Sequence, residues 1–299
     1  VYLIVILKVV DVKPSFKIKW EEFKGWMKFG GPVIPHFYSG YLLNNSDRIV
    51  LDRQLGVQDV TENSIGLYNV AYNFANYFHQ FTTQVNTVIT PYFFELFQRK
   101  DNESPVIIRS FVFLWLGVSV LLAFLAGLWS KEVFHLLFVN NTGNLADAYR
   151  YSVFLFMAFC YRPLYVASVE FAIFNEKTVS LLKITFVAGV ANVLLNIILV
   201  PIFGVQAAIL STFACYMYMG AAGHFLPEIK AHLPLNYHPI KVFLIITGLG
   251  VLGYYAVELD WPAKIGLTLG IILLALAIYR WKGKALVAHV KGLKNAIPE

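Results

Sequence analysis

Long, nearly unbroken apolar stretches alternate along this chain with short segments rich in charge, Gly and Pro. Stretches of spanning length cover residues 29–51, 67–94, 106–129, 148–174, 184–203, 205–226, 242–257 and 265–281. Between them lie 56–66, 99–105, 140–147, 175–177, 201–204, 227–239 and 260–264. A helix needs about 20 apolar residues to cross a bilayer, and hydrocarbon gives backbone groups no partners. The pattern therefore predicts an all-α polytopic transmembrane bundle of about eight spans. Strands of a membrane barrel alternate apolar and polar residues, so continuous hydropathy excludes one.

Composition agrees. The 299 residues are 58% hydrophobic and 14% charged, with a mean hydropathy of +0.62. Soluble domains carry about 25% charged residues, so much of this surface must meet lipid. The net charge of +6 resides in short basic clusters between apolar runs, a membrane-protein distribution that does not point to nucleic acid. Cys160 and Cys215 both fall in apolar segments, so neither a disulfide framework nor a zinc site is indicated. No cofactor is implied. Residues 1–10 are apolar but too short to span, and lack the features of a signal peptide. They read as the tail of a helix that begins before Val1.

Most of the 24 Lys and Arg fall on one side of this alternation. The opposite side has only Arg53, Lys131, Arg150 and Lys264. The positive-inside rule makes the first side, with the opening loop and the C-terminus, cytoplasmic.

Three spans carry polar chemistry. In 67–94, Asn69, Asn73, Asn76, Gln80, Thr83, Thr87 and Thr90 step by four and three alternately, on one helix face. Interhelical hydrogen bonding accounts for some such residues; seven in register point to the lining of a water-filled cavity. The first span holds Asn44, Asn45, Ser46, Asp47 and Arg48, with Asp52 one turn on. Asp47 and Arg48 read either as cavity groups or as a snorkelling interfacial pair. Pro32 and Pro35 suggest a kinked entrance to this helix. Arg162 lies near the middle of its span, followed by Pro163 and, two turns on, Glu170. At that depth Arg162 must face the bundle interior. It reads either as the partner of Glu170 or Asp47, or as a contact for an anionic substrate, whose phosphate oxygens a guanidinium matches bidentately. Glu170 reads alternatively as a proton or cation site. His36 and His79 read as polar packing.

Three motifs carry a family resemblance. Trp26 to Val50, reading WMKFGGPVIPHFYSGYLLNNSDRIV, resembles the seventh helix of Wzx-type polysaccharide flippases, with their Phe-Gly-x-Pro start and Asn-x-Ser-Asp-Arg core. Gly66 to Phe74, GLYNVAYNF, resembles the opening of their next helix. Asn192 to Ala208, NVLLNIILVPIFGVQAA, resembles a later hairpin, with Ala207 where the family often has Gly. The resemblance implies the exporter fold shared with oligosaccharidyl-lipid and multidrug transporters: two six-helix lobes around a cavity. On that map residues 1–28 are the end of a truncated helix and a cytoplasmic loop. Residues 29–226 are the six-helix second lobe. Residues 227–299 are two extra transmembrane helices and a basic cytoplasmic tail.

The implied activity is translocation of undecaprenyl-pyrophosphate-linked oligosaccharide across the bacterial cytoplasmic membrane by alternating access, for cell-surface polysaccharide. The partners implied are that lipid-linked substrate, membrane lipids and polysaccharide assembly proteins. Arg48 and Arg162 would contact phosphate or acidic sugars, with Asp47 and Glu170 in ion coupling or charge pairing. Asn44, Asn69, Asn73, Asn76, Gln80, Thr83 and Thr87 would line the cavity. The alternatives are a cation-coupled multidrug-type antiporter and an inactive truncated fragment. A membrane polymerase or acyltransferase is disfavoured by the short outer loops and the missing His-acidic motif.

Overall fold

The protein is described from a computed structural model, over residues 19–57, 60–99, 101, 103–139, 145–233, 235–278 and 280. The helix tail expected at residues 1–10 and the basic tail after Arg280 lie outside them. The described residues form an all-α bundle without strands. In chain order its helices are α1 (Trp20–Arg53), α2 (Glu62–Arg99), α3 (Ser104–Leu128), the short α4 (Ser130–Leu137), a 3-10 turn (Leu145–Ala148), α5 (Tyr149–Phe159) and α6 (Arg162–Phe174). They continue as α7 (Thr178–Phe203), α8 (Val205–Phe225), the one-turn α9 (Pro227–Lys230), α10 (Pro239–Ala256) and α11 (Trp261–Ile278).

Over the described residues, each expected span is largely helical. Five segments are long and apolar enough to cross a membrane: Ser104–Leu128, Leu145–Phe174, Thr178–Phe203, Val205–Phe225 and Pro239–Ala256. Trp261–Ala277 is apolar but shorter. α1 and α2 are longer than any of these, at 34 and 38 residues, and owe their lower hydropathy to polar positions. The chain is a multi-pass membrane protein.

Two details differ from the sequence expectation. α1 begins at Trp20 and passes through Pro32 and Pro35 without a break, so the prolines lie inside the helix and do not open it. Pro32 and Pro35 have no N–H for the Lys28 and Gly31 carbonyls, a loss that membrane-protein helices tolerate where neighbouring groups or water re-satisfy the freed carbonyls. The span at 148–174 is two helices, interrupted at Cys160 and Tyr161. Pro163 has no N–H for the Phe159 carbonyl, so α5 must end there, and proline suits the first turn of α6.

That interrupted span is the centre of the bundle. Leu155, Phe156, Met157, Ala158 and Phe159 are all buried, enclosed by α2, α3, α8 and α10. α1 stands apart from this arrangement. It lies along α7 and has only sparse contact with α2. Small residues allow the close approach: a Cβ on Gly189 would stand 2.8 Å from the Ser39 carbonyl oxygen. α7 turns into α8 at Gly204, whose φ of +59° is costly for other residues.

At the end of the bundle where α3 runs into α4, charges fasten the last two helices. Glu258, just past α10, meets the Lys131 Nζ at 2.6 Å and the Arg150 Nη2 at 3.4 Å, and accepts from the Tyr149 hydroxyl at 2.6 Å. Lys264 is 0% exposed and pairs with Glu132 at 2.5 Å. Trp129 donates to Thr268 at 3.1 Å and meets Trp261 edge-on at 5.8 Å.

The hydrogen bond from Lys131, with that from Tyr149, holds the Glu258 carboxyl below its ordinary 4.5, and Glu258 in turn raises Lys131 above 10.5. A lowered carboxylate contributes stability above its unfolded value and loses it as pH falls through the folded one; a raised lysine contributes below its unfolded value and loses it as pH rises through the folded one. Docking of α10 should thus be constant between 4.5 and 10.5 and weaken outside that window. Hydrogen exchange of the α10 amides against pH measures this. Equal protection below 4.5 would assign the docking to apolar contacts alone.

A candidate site in the polar seam between α1, α2, α6, α7 and α8

Asp47 is fully buried. One carboxylate oxygen accepts from the Tyr68 hydroxyl and, at 3.3 Å, from Thr212 Oγ1. The other is buried without a hydrogen-bond partner among the described residues. The Asn192 amide donates to Thr212 Oγ1 at 3.4 Å, and its oxygen accepts from Ser46 at 2.5 Å and Asn196 at 3.1 Å. Ser211 donates to Asn196 at 2.9 Å. A carboxylate and five neutral polar side chains from α1, α7 and α8 thus form one buried cluster, closed by Tyr68 of α2. Burying an ionised carboxylate is costly without a compensating cation, and no Lys or Arg makes an ion pair with Asp47 among the described residues.

One turn earlier on α1, Asn44 accepts from Tyr216 at 2.8 Å and Tyr72 at 3.1 Å. Tyr216 also lies 3.5 Å from His79 Nε2, and that nitrogen lies 2.8 Å from Arg162 Nη1. Since a guanidinium only donates, His79 Nε2 accepts and its ring is held neutral. Arg162 Nε is buried and has no partner among the described residues. Arg48 makes no ion pair with the neighbouring Asp47. It donates to Asn73 at 3.0 Å and stacks on the Tyr72 ring at 4.7 Å, and its Nε is likewise unpaired. Each arginine therefore keeps donors free for an oxyanion.

The charge pairing expected of Asp47 and Glu170 is absent among the described residues. Glu170 accepts from Thr90 Oγ1 at 2.8 Å and forms no ion pair with Arg162. The Asp47–Arg48 snorkelling pair is absent too: Asp47 is buried against Tyr68 and Thr212, while Arg48 is taken up by Asn73 and the Tyr72 ring.

The stripe on α2 faces two environments. Asn73, Gln80 and Thr87 are exposed; Asn69, Asn76, Thr83 and Thr90 are half-buried. Asn44 faces inward, and the Asn69 side-chain oxygen is buried without a partner among the described residues. Thr83, Thr87 and Thr90 donate to the carbonyls of His79, Thr83 and Asn86. The Thr83 and Thr87 hydroxyls are satisfied by their own helix, while Thr90 shares its one proton between the Asn86 carbonyl and Glu170. Around the stripe, Tyr38, Tyr41, Tyr77 and Tyr92 are exposed. The splayed α1–α2 pair thus presents carboxamides and tyrosines, with Arg48 and Arg162 at its back.

Tyr68, Tyr72, Tyr216, Thr212 and His79 bind the seam together and were not singled out as site residues in the sequence. Tyrosine serves equally as a packing residue, so its type alone gives no signal. The Asn192 and Asn196 pair did carry one, as an i, i+4 amide pair in an otherwise apolar span.

Residues 1–97 match the family model described as "Polysaccharide biosynthesis protein". The match covers α1 and nearly all of α2, the two helices of the splayed face. No curated protein and no solved structure matches the chain.

Proposed function

We propose that this chain belongs to a flippase that moves a lipid-linked oligosaccharide, carried on undecaprenyl pyrophosphate, from the inner to the outer leaflet for cell-surface polysaccharide. The observation that carries this reading is Arg162. It is a guanidinium in the central span, held by a neutral histidine, and among the described residues no acid pairs with it and its Nε has no partner. Such a group suits a pyrophosphate that must cross the membrane. Arg48, one helix away on the same seam, supplies a second cation. Carboxamides and exposed tyrosine rings on α1 and α2 suit sugar hydroxyls and ring faces, and the polysaccharide-biosynthesis match falls on these helices. Alternating access would carry the glycan past this face in a cytoplasmic membrane, with the C-terminus inside the cell.

In this reading Asp47 is the ion-coupling group. A buried carboxylate without a cation partner takes a proton or a monovalent cation at little cost, and its neighbours on α1, α2, α7 and α8 feel the change. Glu170 is the second candidate. The same observation favours the alternative, a cation-coupled multidrug-type antiporter.

Proteoliposomes loaded with a fluorescent lipid-linked oligosaccharide separate the two readings. Glycan flipping that accelerates with an imposed ion gradient, and loses that acceleration in Asp47→Asn, is expected. Gradient-driven efflux of cationic dyes with no glycan flipping would overturn the proposal in favour of the antiporter.

A further inference from the structure

A crevice of about 590 Å³ opens at the same end of the bundle as the Glu258 cluster, away from the polar seam. The first turn of α5, the first turn of α8 and the last turn of α10 converge there, because the chain enters α5 and α8 from the side on which α10 ends. Its rim is polar: Asp147, Arg150 and Gln206. One turn deeper along α5 stands Phe154, and one turn deeper along α8 stand Ile209 and Leu210. The crevice therefore grades from charged to apolar along the helix axes, which in a membrane means from the interface into hydrocarbon. It also opens sideways, since α10 packs chiefly on α3 and α5, and Leu210 is 52% exposed. Trp129, Trp261, Tyr149 and Tyr254 cluster at this end, as interfacial aromatics do.

The rim holds both signs of charge within one turn. Arg150 donates Nε to the Tyr149 hydroxyl at 3.1 Å and sets Nη2 3.4 Å from Glu258 as an ion pair, and its five-donor fork leaves further N–H groups for a ligand. Asp147, three residues earlier, offers a carboxylate. An anionic head alone would meet that carboxylate unfavourably; a phosphodiester joined to a primary ammonium by two carbons satisfies both groups at once. We infer that this crevice binds an ethanolamine phospholipid, with its phosphodiester on Arg150 and Gln206, its ammonium on Asp147, and one acyl chain over Phe154, Ile209 and Leu210. The inference does not depend on the flippase reading, since it uses none of the seam.

Native mass spectrometry of the purified full chain, titrated with palmitoyl-oleoyl phosphatidylethanolamine, phosphatidylcholine or phosphatidylglycerol, tests it. One ethanolamine lipid is expected to bind saturably, at least about tenfold tighter than the other two. Asp147→Asn should abolish that preference, and Arg150→Gln should weaken all three lipids. Glu258→Gln keeps the guanidinium and should keep the lipid, which separates lipid contact from disruption of the ion cluster. Leu210→Trp narrows the open side from an exposed position and should lower occupancy without unfolding the chain. Equal binding of the three lipids, a preference for phosphatidylglycerol, or an unchanged preference in Asp147→Asn would each overturn the assignment.

Discussion

Arg162→Ala is expected to leave the protein inserted at normal levels while lipid-linked glycan translocation falls about a hundredfold. Removing a charge from the middle of a span makes insertion easier, by about 2.5–3.5 kcal/mol on insertion scales. The loss therefore appears in transport. A hydrogen bond to a charged group contributes about 1.5–3 kcal/mol, and a bidentate pyrophosphate contact loses two. Arg162→Lys keeps the charge without the planar fork and should recover part of the rate. Flipping in proteoliposomes and glycan display in cells both read the effect. Normal display with Arg162→Ala would remove the phosphate role and leave Arg162 as a partner for His79 alone.

Lys264→Met should be the most destabilising single change outside the seam. It leaves Glu132, only 16% exposed on its side chain, without its cation, and takes the ammonium from its place 5.9 Å above the Trp129 ring. Breaking a buried pair from one side costs about 3–5 kcal/mol, because the remaining charge stays desolvated. Replacing both partners, Lys264→Met with Glu132→Gln, should restore most of the loss. Thermal melts in detergent, with protease access to the turn between α10 and α11, measure both. A wild-type melt for Lys264→Met would show that the apolar contacts of α11 hold it unaided.

The spans were legible in the sequence because the bilayer imposes their length and hydropathy whatever the tertiary packing. The α2 stripe was legible for the same kind of reason, since helical periodicity alone aligns Asn69 to Thr90. Contacts made across helices were less legible. The spacing of Asn44, Arg48 and Asp52 says that they share a face, but not that Asp47, one residue aside, turns inward to α2 and α8. Arg162 was conspicuous, yet its partner proved to be His79, 83 residues away. A histidine within an apolar run gives no sign of what it touches. The break at Cys160 had a local cause in Pro163, whereas the continuity of α1 through Pro32 and Pro35 did not.

The uneven fastening of α1 sets the mechanics of this bundle. Along α7 it is gripped by close backbone approach and by bonds from His36 to Thr185 at 2.8 Å and Ser46 to Asn192 at 2.5 Å. Against α2 it is held by side-chain bonds at one depth: Asn44 to Tyr72, Asp47 to Tyr68 and Arg48 to Asn73. The 54–61 connection lies only a few residues beyond that level, so the two helices are tied together at one end and splay apart towards the other, like tongs. The softest deformation of such a pair is opening at the far end, and in the proposed reading the charges near the hinge are the ones a substrate phosphate or a coupling ion would neutralise.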